Sequence, residues 1–266
     1  MKQVALRRAL RIGRWIGGVG TGAIAPALLW TTAGGLTEQQ LQTNYNQAVE
    51  DAARVELGEN INSLTAITAD TPHLIWNEDH SKILVVTWKN WFSYEQFIQP
   101  NTHTAASENY LTWVTVAPEI QEFCQQYLAQ NPDATVEELD LRLKQHLGLH
   151  YDWNYDVFVQ LWVAPEDLFR PCVDPEINDT QCNIGFDENP AQINNIAHYQ
   201  SFYTNLYFQS FRHIPGVPWT GLGYTFDWGN PVTDVGISEF ILTPNAPYTI
   251  ESVQPTLDYC QAAQTP

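Results

Sequence analysis

The chain has 266 residues and a formal net charge of −18, with 44% hydrophobic and 12% aromatic residues. Five of its 12 Lys and Arg (Lys2, Arg7, Arg8, Arg11 and Arg14) stand in the first fourteen positions, which leaves 7 against 30 Asp and Glu, a net of −23, after Gly35. Such a body repels phosphate backbones and anionic lipid, so nucleic-acid binding and docking on a charged membrane surface are excluded, and only the N-terminal segment could touch a membrane.

A basic head followed by an apolar stretch reads as an export signal or a signal anchor over residues 1–35. The stretch Trp15–Trp30 has no charge, but it is short, Gly-rich and broken by Pro26. A membrane-spanning helix wants about 20 strongly apolar residues. Cleavage near Thr31-Thr32-Ala33 is therefore expected over retention as an anchor through residues 15–30. Arg7-Arg8-Ala9-Leu10 resembles a twin-arginine export signal only in its arginine pair and one apolar residue, so ordinary secretion to a periplasmic or extracellular space is expected.

Residues 36–70 are expected to be a helical spacer. Thr37 is a helix cap with Gln40 three residues on. Leu41, Tyr45, Ala48, Ala52 and Val55 recur at helical spacing up to Gly58. Residues 71–266 are expected to form one globular domain. Ile83–Trp88 is a β-branched run and Tyr110–Val116 alternates, so both read as strands; the polar, aromatic-dotted loop between them has a length often tied to function. Pro118 opens a helix with an apolar stripe of Ile120, Phe123, Cys124, Tyr127 and Leu128. Thr135–Leu147 is a second helix, stopped by Gly148, and Val157–Val163 returns to strand. His198–Phe211 fits both helical and strand periods and stays unassigned. Gly221–Trp228 and Gly236–Leu242 read as two strands around a Gly-Asn-Pro turn. Helices and strands segregate, which predicts an α+β fold: a mixed or antiparallel sheet with two central helices.

The four cysteines lack zinc spacing and suit an oxidising compartment. Cys172 and Cys182 bracket a turn-rich segment and are expected to pair locally, leaving Cys124 to bond Cys260.

Chemistry-bearing residues gather at two places. Between Phe211 and Trp228, prolines and glycines fix the path of a segment holding His213 and Asp227, with Glu239 on the next strand. A His beside a carboxylate can move protons, and Arg212, Trp219 and Tyr224 could bind a ligand. The loop closed by Cys172 and Cys182 holds Asp174, Glu176 and Asp179, oxygen donors of the kind Ca²⁺ takes. His146 and His150 stand four apart, but Gly148 between them ends the helix, so a shared zinc face is not expected. Trp91 and Trp153, lying in loops, are the tryptophans expected at the surface. No G-x-S-x-G or H-E-x-x-H occurs. The expected function is an exported binding or envelope-associated domain whose partner is a small molecule, a glycan or an envelope protein. The alternative is an extracytoplasmic hydrolase using His213 with Asp227 or Glu239, with or without a metal.

Overall fold

Thr37 caps helix α1 (Glu38–Ala52) through a reciprocal capping box with Gln40, as its spacing predicts. The structure, a computed structural model, describes residues 35–263 apart from 57, 189 and 190; the expected signal segment lies, up to residue 34, outside the described residues. Helix α1 stops at Ala52, before Gly58. The expected spacer packs on the body: Tyr45 is fully buried, donates its hydroxyl to Gly216 O at 2.9 Å, and meets His150 and Trp228 edge-on. Leu64 and Ile67, further along, are buried too.

Strand β1 (Ile83–Lys89) leads through a short helical segment to β2 (Thr112–Val116). Pro118, in the first turn of α2 (Ala117–Gln130), begins that helix at no hydrogen-bonding cost. Helix α3 (Val136–His146) carries a second capping box, Thr135 with Glu138. It ends where Gly148 adopts φ +67°, a conformation that glycine takes without steric penalty. Strands β3 (Val157–Val163) and β4 (Leu168–Phe169) follow. The unassigned aromatic stretch is helix α4 (Tyr199–Arg212), whose Tyr199, Phe202 and Leu206 are buried.

The last third of the chain holds β5 (Tyr224–Phe226), β6 (Val235–Ser238), β7 (Phe240–Leu242), β8 (Thr249–Pro255) and helix α5 (Thr256–Gln261). The run expected as a single strand from Gly236 to Leu242 changes sheet at Glu239. Strand β6 pairs with β5 in a two-stranded ribbon, whereas β7 enters the main sheet. The polar pair Ser238-Glu239 marks the break, and the apolar run Phe240–Leu242 follows it.

The main sheet has six strands in the order β4-β7-β2-β1-β3-β8, and every neighbouring pair is antiparallel. The central pair, β1 and β3, is in register from Ile83 opposite Val163 to Lys89 opposite Val157. Because side chains alternate, Ile83, Val85, Val159 and Leu161 share one face, covered by irregular chain through Ile67, Leu74, Tyr94 and Ile98. Val86, Trp88 and Phe158 share the other face, under Ile120, Cys124, Tyr127, Leu139 and Leu143 of α2 and α3 and Tyr259 of α5. Helix α4 covers Phe169 and Ile241. Both faces being covered explains why β1 and β3 read as continuous apolar runs rather than alternating ones.

Both expected disulfides are present. Cys124–Cys260 joins α2 to α5 across 136 residues of chain. Cys172–Cys182 closes a loop of sequence separation 10. Such bonds imply an oxidising, extracytoplasmic environment. Chain-entropy reasoning gives about 5 kcal/mol for the long loop and about 3 for the short one. Replacing Cys124 and Cys260 together by Ser should therefore lower the guanidinium unfolding free energy more than the Cys172/Cys182 replacement does; the reverse order would show that the long bond is strained or redundant with packing.

Among the described residues, no helix is long and apolar enough to cross a membrane.

Candidate functional site

Asp227, just after β5, is a buried carboxylate held on both oxygens. Helix α3 presents Arg142 and His146, one turn apart, to its carboxylate. Arg142 makes a two-pronged contact, Nη1 to Oδ1 at 2.9 Å and Nη2 to Oδ2 at 2.7 Å. His146 Nδ1 lies 2.9 Å from Oδ2, and Gly229 N donates to Oδ1 at 3.1 Å. Phe123 of α2 stacks on the His146 ring at 3.6 Å and lies beneath the Arg142 guanidinium.

Burial by itself would raise the Asp227 pKa, but the hydrogen bonds from His146 and Arg142 outweigh it and hold the carboxyl below its ordinary range. Burial lowers the His146 pKa by more than its bond to Asp227 raises it. The arrangement is therefore a neutral imidazole donating Nδ1–H to a carboxylate whose charge Arg142 balances. An Asp–His pair of this kind can orient a general base. Here both carboxylate oxygens are committed to holding α3 against the β5–β6 ribbon.

The residues singled out in the sequence do not converge. Asp227 pairs with His146, not with His213. His213 follows the end of α4 and is exposed, as is Arg212. Trp219 is buried under α4 beside Tyr203, while Tyr224 is buried in a different cluster, with Cys172 and Cys182, and donates to Glu59 O at 2.9 Å. Arg212, Trp219 and Tyr224 thus do not line one cleft. Glu239 is sealed where the chain changes sheet. Burial pushes its carboxyl up to about 8, against a small opposing effect of the Trp219 indole. Although the two face one another, neither Glu239 Oε1 nor Trp219 Nε1 makes a hydrogen bond of acceptable geometry among the described residues.

The sequence did carry a signal for the cluster that forms. Leu139, Arg142, Leu143 and His146 fall on one face of α3, and two basic side chains on an apolar stripe require a buried carboxylate. His150 stacks on Tyr151.

In the disulfide loop, carboxylate oxygens of Asp174, Glu176 and Asp179 lie within 4.8 Å of one another. A cation is already supplied. The fully buried Arg170 donates to Asp179 Oδ1 at 2.6 Å, to Asp179 O at 2.8 Å and to Thr65 O at 3.1 Å. Gly223, at φ +79°, lets this guanidinium stem pass: a Cβ there would stand 2.5 Å from Arg170 Cδ. Asp174 accepts from Asn183 N at 2.7 Å, and burial pushes its carboxyl up to about 6. Ca²⁺ takes about 6–8 oxygen ligands. The loop offers three carboxylates, one of them already engaged by Arg170.

A cleft of about 150 Å³ lies between His73, Pro118, Gln121 and Gln160, below the roughly 300 Å³ of a usual ligand pocket. A shallower groove of about 530 Å³ runs over Leu128, Pro132, Val136 and Leu257. Trp91 is exposed, as its loop position predicts; Trp153 is half-buried beside His150. Compared with protein families, with curated proteins and with solved structures, the chain finds no significant match in any of the three.

Proposed function

We propose that this chain is an exported, disulfide-braced acidic domain whose task is binding, with a small molecule, a glycan or another envelope protein as its partner. One observation carries the reading: Asp227 spends both oxygens on Arg142, His146 and Gly229, so the segment richest in reactive residues serves the fold. The disulfides fit an exported location, and a body at −23 suits an exposed, soluble surface while opposing nucleic acid.

The test is turnover on chromogenic carboxylic esters, phosphate esters and glycosides, using wild type and His213→Ala. A binding domain gives no turnover above buffer with either protein. Turnover abolished by His213→Ala would restore the hydrolase reading. Mass spectrometry of the mature N-terminus tests export independently: removal of the first thirty-odd residues is expected, and a retained Met1 in a cytosolic fraction would contradict it.

A further inference from the structure

The loop between β1 and β2 exposes three large aromatic side chains within seven positions. Trp91 is 42% exposed, Phe92 67% and Phe97 65%. The two phenylalanines stand five positions apart. On an α-helix that spacing would place them about 140° apart. Here an α-turn over Trp91–Ser93 passes into a π-turn over Tyr94–Ile98, closed by Gln99 N donating to Tyr94 O at 2.9 Å. The wider turn brings Phe92 and Phe97 together on the outside, ring centroids 6.3 Å apart and crossing at 82°. Tyr94 and Ile98 anchor the opposite side in the core. π-Turns are rare and recur at functional sites.

The segment is fixed at both ends. Asn90 caps its first turn through Ser93 N at 2.7 Å, Trp91 N donates to Asp156 Oδ2 at 3.0 Å, and Tyr248 donates its hydroxyl to Ile98 O at 2.9 Å. A preformed face loses little entropy when it binds.

Its surroundings select the occupant. Residues 90–110 contain no Lys or Arg. Glu95, between the two phenylalanines, is exposed. At the Trp91 end stand Asp156, Asp140 and Glu137: burial, and after it the charges of Asp156 and Glu137, raise the Asp140 pKa, while Lys144 pairs with Asp140 at 2.5 Å and opposes them. Acid beside apolar surface favours a partner that brings cations together with apolar groups. A second copy would set two bodies of −23 against each other, and anionic lipid is repelled likewise. The exposed ring surface amounts to roughly 350–400 Å², below the roughly 800 Å² per partner of a stable globular interface. Two rings in edge-to-face contact present a stepped apolar ridge rather than a flat platform.

From these observations we infer that Trp91, Phe92 and Phe97 form the docking site for a short cationic polypeptide segment that lays an apolar side chain against the exposed surfaces of Phe92 and Phe97. The assignment rests on the binding reading above and names its site and partner class.

The test is fluorescence anisotropy with a labelled synthetic peptide of alternating Lys and Leu, and a control of alternating Lys and Gly, on the full disulfide-bonded chain. Wild type binds the Lys–Leu peptide more tightly than the control. Phe92→Ser/Phe97→Ser weakens the Lys–Leu complex at least about tenfold with an unchanged melting temperature. Glu95→Lys, which leaves the rings in place, weakens it several-fold. Equal affinity for both peptides, or unchanged affinity in the double variant, overturns the site. Preference for phosphatidylcholine vesicles or an oligosaccharide, or a dimer lost in the double variant, overturns the partner class. If wild type binds but the phenylalanines do not matter, the binding reading stands and only the site falls. Turnover lost in His213→Ala and kept in the double variant removes the binding reading itself.

Discussion

Asp227→Asn is expected to lower the unfolding free energy at neutral pH by about 3–5 kcal/mol, because it leaves the Arg142 guanidinium buried beside a neutral amide. Arg142→Met should cost a similar amount by stranding the carboxylate. The double replacement Arg142→Met/Asp227→Leu should recover part of the loss, since no uncompensated charge then remains. The pH dependence follows from the directions of the shifts. The Asp227 pKa is held below its ordinary value, so the pair's contribution is complete above the ordinary carboxylate range and is lost as pH falls through the depressed pKa. The His146 pKa is also depressed. Below about 6.5 the unfolded ring takes up a proton that the folded ring refuses, and stability falls with acidification there as well. Guanidinium melts of wild type and Asp227→Asn, run from neutral pH down to below the ordinary carboxylate range, read both effects: the His146 slope in the mildly acidic part and the Asp227 slope at the acid end. A difference under about 1 kcal/mol at neutral pH would place the pair in the class of weak surface bridges.

Glu239→Gln is expected to act in the opposite sense, stabilising the protein by about 2–4 kcal/mol at neutral pH. Burial raises the Glu239 carboxyl from 4.5 to about 8, so the folded state holds a proton that the unfolded state releases. Stability from this group is complete below about 4.5 and declines as pH climbs toward 8. The amide keeps the shape and removes the ionisation. Between the ordinary Glu and His pKa values the Glu239 and His146 slopes oppose each other, which flattens the wild-type profile; the Gln variant should show a steeper loss on acidification. A variant less stable than wild type at pH 8 would mean that the buried carboxylate is ionised and partnered.

Local signals predicted much of the fold. Thr37 and Thr135 announced their helices because a capping box is written within four residues. Gly148 announced a stop because few other residues tolerate its backbone angles. The two disulfides were readable from the turn-rich segment between Cys172 and Cys182, which left one pairing for the rest. Long-range features were not legible. Strand β8 and helix α5 carry short, mixed patterns that take their form from β3 and α2. The change of sheet at Glu239 has only the polar pair Ser238-Glu239 to mark it, and which sheet each half joins depends on distant strands. In α4, aromatic residues fill both periods.

The polar site followed the same rule. Asp227 was picked out from its own neighbourhood, yet its partners stand 81 and 85 residues away on α3, and proximity in sequence favoured His213. Arg170 is illegible for the same reason: an acidic loop fits a metal ion and a buried guanidinium equally well in sequence, and only the fold brings the guanidinium to Asp179. The aromatic face depends on a π-turn that shifts Phe97 onto the side of Phe92, and α-helical periodicity places them apart.

Asp227 belongs to α3 rather than to the corner that follows α4. Side-chain ¹⁵N NMR of the histidine rings, recorded for wild type and Asp227→Asn, tests this directly. The account predicts that His146 is protonated on Nδ1 and unprotonated on Nε2 at neutral pH, and that the substitution moves the resonances of this ring and leaves those of His213 in place. A response at His213 with none at His146 would contradict it.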